Sequence, residues 1–279
     1  MGLQNSRAAM RHDRSTREKI LDILELSGDW CSGEAMSARL GISRAAVAKH
    51  IACLRAGGHA IEAVSRRGYR LLARIDALDA PVISAALKTR RMGKAAWHVL
   101  GEVSSTNLEA VRLATEGAEE GTVVLAETQT RGRGTKGHNW ISIPRGLHLS
   151  VILRPGAANE VERMTELASL SVARAIKKAT SLEAAYKVPN DVLVNGRKIA
   201  GILVETGFRG AEPDWAVVGI GCNVNGLPTD FPEADRDRFT SVLIEKGAFF
   251  SRAALLIAIL ESLEQNYFLM QAGKFLADP

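Results

Sequence analysis

Apolar residues first recur at helical spacing at Ile20, Ile23 and Leu24, with Ser27 on the same face, predicting an amphipathic helix over 15–27. Ser32 or Ser37 suits the start of a short second helix ending at Leu40-Gly41, where glycine takes the left-handed conformation that closes a helix. Ser43 then suits an N-cap for a third helix from Arg44 to Ala56. There Val47, Ile51 and Leu54 form one apolar stripe and leave Arg44, Lys49 and His50 off it. Ile61–Val64 and Tyr69–Leu72 flank the polar segment Ser65-Arg66-Arg67-Gly68, a β-hairpin with a basic tip. Helix, short helix, glycine turn, helix and hairpin make a winged helix-turn-helix over 15–73. Its third helix suits a major groove and its wing-tip cations suit phosphates. A small helical domain that binds protein is the other use of such geometry.

Residues 73–83, with Asp76, Asp79 and Pro81, lack periodicity and read as a linker. A second domain, 84–279, mixes the two periods. Ser105-Thr106-Asn107 leads into a helical pattern at Leu108, Val111 and Ala114. Residues 121–128, 147–154 and 214–221 read as strands, and Asn195-Gly196 marks a hairpin between 191–194 and 198–204. Helices are expected over 161–180 and 251–270. The sum is an α+β domain, a mixed sheet with helices on one side.

Charge and composition narrow the partners. The chain holds 279 residues, is 46% hydrophobic and carries a net charge of +5. That permits an anionic partner without requiring one. Arg7, Arg11, Arg14 and neighbouring cations make 1–14 a basic tail, and Met1-Gly2 to Ser6 fits a loose myristoylation pattern. The N-terminus lacks a secretory core, and no run of eighteen apolar residues suggests a membrane span. Cys31, Cys53 and Cys222 have no metal-ligand spacing and read as reduced, buried thiols of a cytoplasmic protein.

Candidate chemistry sits in three places. Arg131-Gly132-Arg133-Gly134-Thr135-Lys136-Gly137 contains GxGxxG, but Pro144 and Gly146 follow instead of a helix, which excludes the dinucleotide-binding reading. Its glycines and cations suit a phosphate-bearing ligand, or else a flexible basic surface loop. Lys187 and Lys198 flank the Asn195-Gly196 hairpin and could meet a carboxylate and a phosphate in one pocket, although strand-end lysines are usually solvated. The third place is Gly219-x-Gly221-x-Asn223-x-Asn225.

In order, Ser105-Thr106-Asn107, Gln129, Arg131-Gly132-Arg133-Gly134, Trp140, Lys187-x-Pro189-Asn190-Asp191, Lys198-x-Ala200-Gly201-Ile202-Leu203-x-Glu205 and the glycine–asparagine strand resemble the biotin protein ligase family. The winged helix-turn-helix, through Ser43-Arg44-Ala45-Ala46, resembles its bacterial repressor form. The resemblance implies a class II synthetase-like catalytic domain. It also implies ATP, biotin and Mg²⁺ as reactants and cofactor, biotinyl-5′-AMP as intermediate, and a lysine of a carboxyl carrier protein as acceptor.

It further implies site roles. Ser105, Thr106, Asn107, Gln129, Arg133, Gly134, Thr135 and Lys198 would bind biotin. Arg131, Gly132, Trp140, Asn190, Asp191 and Asn223 would meet the nucleotide, with Asp191 also at the metal. Lys187, Arg133 and Lys198 would be catalytic. Ser43, Arg44, Ala45, Lys49, His50, Arg66, Arg67 and Tyr69 would face operator DNA, with ligand-induced homodimerisation.

Two positions depart from the family: Thr135 where it usually has arginine, and Val188 where it usually has tryptophan. The resemblance implies a small β-rich C-terminal domain after the last helix, and the sequence read to Pro279 leads to the expectation that it is absent. These departures keep open a DNA-binding biotin sensor with weak or lost ligase activity. A lipoate-type acyltransferase and an unrelated transcription factor leave more motifs unexplained.

Overall fold

The computed structural model describes residues 16–56, 59–73 and 78–274. The basic tail, the myristoylation pattern and the chain end lie outside them. The chain divides into two compact units, residues 1–75 and 76–279.

In the first unit, α1 (Thr16–Ser27), α2 (Gly33–Leu40) and α3 (Arg44–Ala56) precede a hairpin of β1 (Ala60–Val64) and β2 (Gly68–Ala73). Ser32 caps α2 by accepting the Ala35 N–H, and Gly41 ends it at φ 67°. Ser43 accepts the Ala46 N–H at 3.1 Å and so starts α3. The core joins Ile20, Leu21, Ile23 and Leu24 to Met36, Val47, Ile51, Leu54 and Ile61. Leu21, not Ser27, completes the buried face of α1, since the Ser27 hydroxyl donates back to the Ile23 carbonyl and stays exposed.

In the second unit, α4 (Ala80–Ala86) starts within the stretch read as linker. Asp79 accepts the Val82 N–H, and Leu78, Ile83 and Leu87 enter the core. This unit therefore begins before residue 84. The chain continues through β3 (Trp97–Val103), α5 (Thr106–Thr115), β4 (Val123–Gln129), β5 (Leu147–Leu153), α6 (Ala158–Thr180) and β6 (Ala184–Lys187). It ends through β7 (Asp191–Val194), β8 (Arg197–Arg209), β9 (Glu212–Cys222), α7 (Val242–Lys246) and α8 (Arg252–Gln271). The seven strands lie in the order β3-β4-β5-β9-β8-β7-β6, with β3 and β4 parallel and the other pairs antiparallel. Asn195 and Gly196, both at positive φ, form the β7–β8 turn. Beyond Gly201, β8 pairs with β9 but no longer with β7, so residues 204–209 leave one strand edge open among the described residues.

The expectation of helices on one side is corrected. α6 and α8 bury Leu147, Leu149, Val151 and Leu153 of β5, while α5 covers the opposite face at Val124, Ile152 and Val217. Period-2 alternation sends β5 residues to both faces, and both must be covered. α8 is long and apolar enough to cross a membrane by length and composition, but its Leu255, Leu256, Ile259, Leu260 and Leu263 belong to the core. Cys222 is buried and its thiol pushed up to about 12 by burial. Cys53 is exposed, contrary to the expectation of three buried thiols.

Candidate active site and nucleic-acid interface

The N-terminus of α5 meets the sheet through a closed hydrogen-bond set. Gln129 Oε1 accepts the Thr106 N–H at 2.8 Å and its hydroxyl at 3.1 Å, replacing a cap that Ser105 does not supply. Ser150 Oγ donates to Asn107 Oδ1 at 2.7 Å, and Asn107 Nδ2 donates to the Leu203 carbonyl and to Glu205. All these groups stand on the α5 face, where β9 follows Val217 with Gly219 and Gly221. A Cβ on Gly219 would lie 1.8 Å from Asn107 Oδ1, and one on Gly221 would lie 2.3 Å from the Trp140 indole. The two glycines thus provide the space into which Asn107 and Trp140 fold.

Over this floor runs the glycine loop. The Trp140 N–H bonds the Gly132 carbonyl at 2.9 Å, and the Gly134 N–H bonds the His138 carbonyl at 2.8 Å. Arg133 Nη1 reaches Glu205 at 2.8 Å. Between loop, α5 and sheet opens a cavity of about 400 Å³. Ser105, Thr106, Asn107, Gln129, Arg133, Gly134, Thr135, Trp140, Asn190, Asp191 and Lys198 line it together. Lys198 Nζ lies 2.5 Å from Asp191 and 5.5 Å from the Trp140 ring centre. Asn190 Nδ2 donates to the Ile202 carbonyl, which fixes the start of β7.

Other expected site residues stand apart. Lys187 is opposite Asp191 in register, on the same sheet face, but its side chain is exposed and outside the cavity lining. Arg131 is exposed and Gly132 buried, and neither lines the cavity, because Gly132 packs against the Trp140 backbone. Lys136's side chain is outside the described residues. Asn223 is buried, with both side-chain polar atoms unpartnered, as is Trp140 Nε1. Asn223 is not among the residues that line the cavity, whereas Trp140 is, and its unmatched indole N–H fits a ligand that carries an acceptor. Val188 is 75% exposed. No group of three or more His, Cys, Asp or Glu among the described residues could by itself hold a metal. A magnesium ion carried largely by phosphates needs only a carboxylate or two, and Asp191 fits that part.

Sequence reasoning missed Asp235, Arg238 and Phe239, which also line the cavity. They arrive from a long loop: the Lys198 N–H bonds the Arg238 carbonyl and the Thr240 N–H bonds the Lys198 carbonyl. No local motif announces them.

Residues 100–223 match the biotin/lipoate A/B protein ligase family, and residues 16–70 match a helix-turn-helix domain. The chain is 38% identical to "Bifunctional ligase/repressor BirA" of Bacillus subtilis (strain 168), across 91% of its own length and 79% of that protein. The chain belongs to the biotin protein ligase family. The bifunctional ligase/repressor of Escherichia coli (strain K12) is 33% identical over the same shares. Among solved structures, the biotin protein ligase of Aquifex aeolicus in complex with biotin and ATP superposes with a TM-score of 0.56. It is 32% identical and covers 64% of this chain and 73% of that one. The Leishmania major biotin protein ligase with biotinyl-5-AMP gives a TM-score of 0.53 at 25% identity, covering 64% and 79%.

On the N-terminal unit, Ser43, Arg44, Ala45 and Lys49 are exposed along the start of α3, and His50 is half-buried. At the wing tip Arg66 takes a left-handed φ of 66° and, like Arg67, is exposed. Arg67 lies over the Trp30 ring at 4.8 Å. Arg70 also reaches that ring at 5.1 Å and pairs with Glu62 at 2.8 Å. Tyr69 is half-buried against the core and exchanges backbone hydrogen bonds with Cys31, which gives it a packing role at the wing's base.

Proposed function

We propose that the second unit is an ATP-dependent biotin protein ligase and the first a DNA-binding module that makes the chain a biotin-responsive repressor. One observation carries the ligase reading. A single cavity gathers the hydrogen-bonding floor, Asp191, Lys198 and the arginine of the glycine loop. Biotin's ring amide suits Ser105, Thr106, Asn107 and Gln129, which offer donors and acceptors already fixed in direction. Its carboxylate suits Lys198. ATP would enter beside Trp140, Asn190, Asp191 and Asn223, and the Asp191 carboxylate would help hold a Mg²⁺ ion that offsets phosphate charge.

The carboxylate oxygen attacks the α-phosphorus and pyrophosphate leaves, forming biotinyl-5′-AMP. The amine of a carrier-protein lysine then attacks the acyl carbon and AMP leaves. Both reactants are anions, so cations must offset a repulsion that is greatest as the P–O bond forms. Lys198 and Arg133, which line the cavity, would supply that charge, and Lys187 would act from the strand edge beside Asp191. The loop excludes water from the mixed anhydride.

Operator DNA is proposed to meet Arg44, Lys49 and the wing arginines. The open edge at residues 204–209 supports homodimerisation, since an unpaired edge takes a second strand readily. Sedimentation with and without biotin and ATP tests it. A biotin sensor with weak transfer is the second reading, favoured by Thr135, which leaves the cavity one loop cation short. Incubating the full chain with labelled ATP, Mg²⁺, biotin and an acceptor carrier domain separates the two. Label on the carrier supports the ligase. Adenylate without transfer supports the sensor, and no biotin binding defeats both.

A further inference from the structure

Glu205 lies on the long strand β8, just past the reach of β7, and its two carboxylate oxygens are used differently. Oε1 accepts from Arg133 of the glycine loop at 2.8 Å. Oε2 accepts from Asn107 Nδ2 at 3.0 Å. Asn107 in turn is fixed by Ser150 below it at 2.7 Å and by the Leu203 carbonyl at 3.2 Å. One side chain therefore spans the lid and the floor of the cavity without lining it. Arg133, Gly134 and Thr135 line the cavity in this same arrangement, so the tie belongs to the pose in which the loop covers the floor.

Chemistry requires a carboxylate here. The loop brings an arginine, which needs an acceptor, and Asn107 offers a side-chain N–H once its oxygen is committed to Ser150. Only a group with two acceptor oxygens and a negative charge serves both. We propose that Glu205 is a positioning residue that latches the glycine loop to the biotin-binding floor, so that its loss lets the adenylate escape. This rests on the ligase reading. Glu205 need not touch either reactant. It acts through Arg133 on the lid and through Asn107 on the head group.

The two oxygens give the test its discrimination. Glu205→Gln keeps one acceptor for Asn107 but removes the charge that holds Arg133. Glu205→Ala removes both. Biotin binding is measured by calorimetry on the full chain, and adenylate release by chasing preformed labelled biotinyl-5′-AMP with unlabelled ligand. With Glu205→Gln, release should quicken up to about fivefold, as expected for a partly exposed ion pair, while the biotin dissociation constant stays near wild type. With Glu205→Ala both should worsen. Arg133→Ala should quicken release as Glu205→Gln does, and the double variant should add little more. A residue that merely supported the fold would lower the melting temperature and leave no such split or coupling. Wild-type release rates in both Glu205 variants, or full additivity with Arg133→Ala, would overturn the latch. If the unmodified chain forms no adenylate, the ligase reading fails first and the latch with it.

Discussion

At the scale of single residues, the cavity is built as much by what is absent as by what is present. Gly219 gives Asn107 its place, so Gly219→Ala should displace that amide, weaken biotin binding about ten- to hundredfold and cost about 1–3 kcal/mol of stability. Calorimetric titration with biotin checks it, and unchanged affinity would mean Asn107 does not hold the ligand. His148 stands nearby on the same face of β5, fully buried, with neither ring nitrogen in hydrogen-bond geometry with a partner. Burial lowers its pKa to about 4, opposed by the Ile143 carbonyl and reinforced by the Arg252 charge. The native protein thus refuses a proton that the unfolded chain accepts. Its contribution is complete above the unfolded value of about 6.5 and is lost as pH falls from there towards 4, in total about 3 kcal/mol. Urea unfolding at pH 7 and pH 5 should show His148→Leu losing less stability over that interval than wild type.

At the scale of elements, α8 is tied to the segment before β3 by two acids, of which Glu261 accepts only the Lys88 N–H, at 3.2 Å. Glu264 accepts the backbone N–H groups of Arg90, Arg91 and Met92 at 2.6, 2.7 and 3.0 Å. Glu264→Leu would leave those donors without an acceptor and should destabilise the catalytic unit on the order of 3 kcal/mol, read as an earlier urea midpoint. The amphipathic helices and the Asn195-Gly196 hairpin were legible because period and turn chemistry agree there. β3 and β6 were not, because both lie at the sheet's edges, where half-buried residues blur the alternation. α4 hid in the supposed linker because only Ile83 of its residues is fully buried, which leaves no stripe to read. Asp235, Arg238 and Phe239 carry no local pattern that sets them at the site. Only the pairing of β8 and the loop after β9 brings them there, whereas the glycine loop and Ser105-Thr106-Asn107 are contiguous and could be read in line.

At the scale of the whole molecule, the two units divide the work of charge. The first presents exposed cations on α3 and the wing with no carboxylate beside Arg66 or Arg67 among the described residues. The second brings Arg133, Lys198 and Arg238 to the lining of its cavity. Binding of duplex DNA by the full chain should therefore fall with salt, and Lys49→Ala should flatten the log–log slope by about one. Fluorescence anisotropy from low to physiological salt checks this, and an unchanged slope would remove Lys49 from the interface. The four tryptophans are apportioned as usefully. Trp30 keeps company with the wing arginines, Trp97 donates to the Gly93 carbonyl, and Trp215 packs over Gly207. Only Trp140 lines the cavity, its indole resting on Gly201 and Gly221 beside the Lys198 ammonium. Any molecule that enters must alter the polarity around that one ring, so the intrinsic emission of the chain is a built-in optical reporter of its own filling.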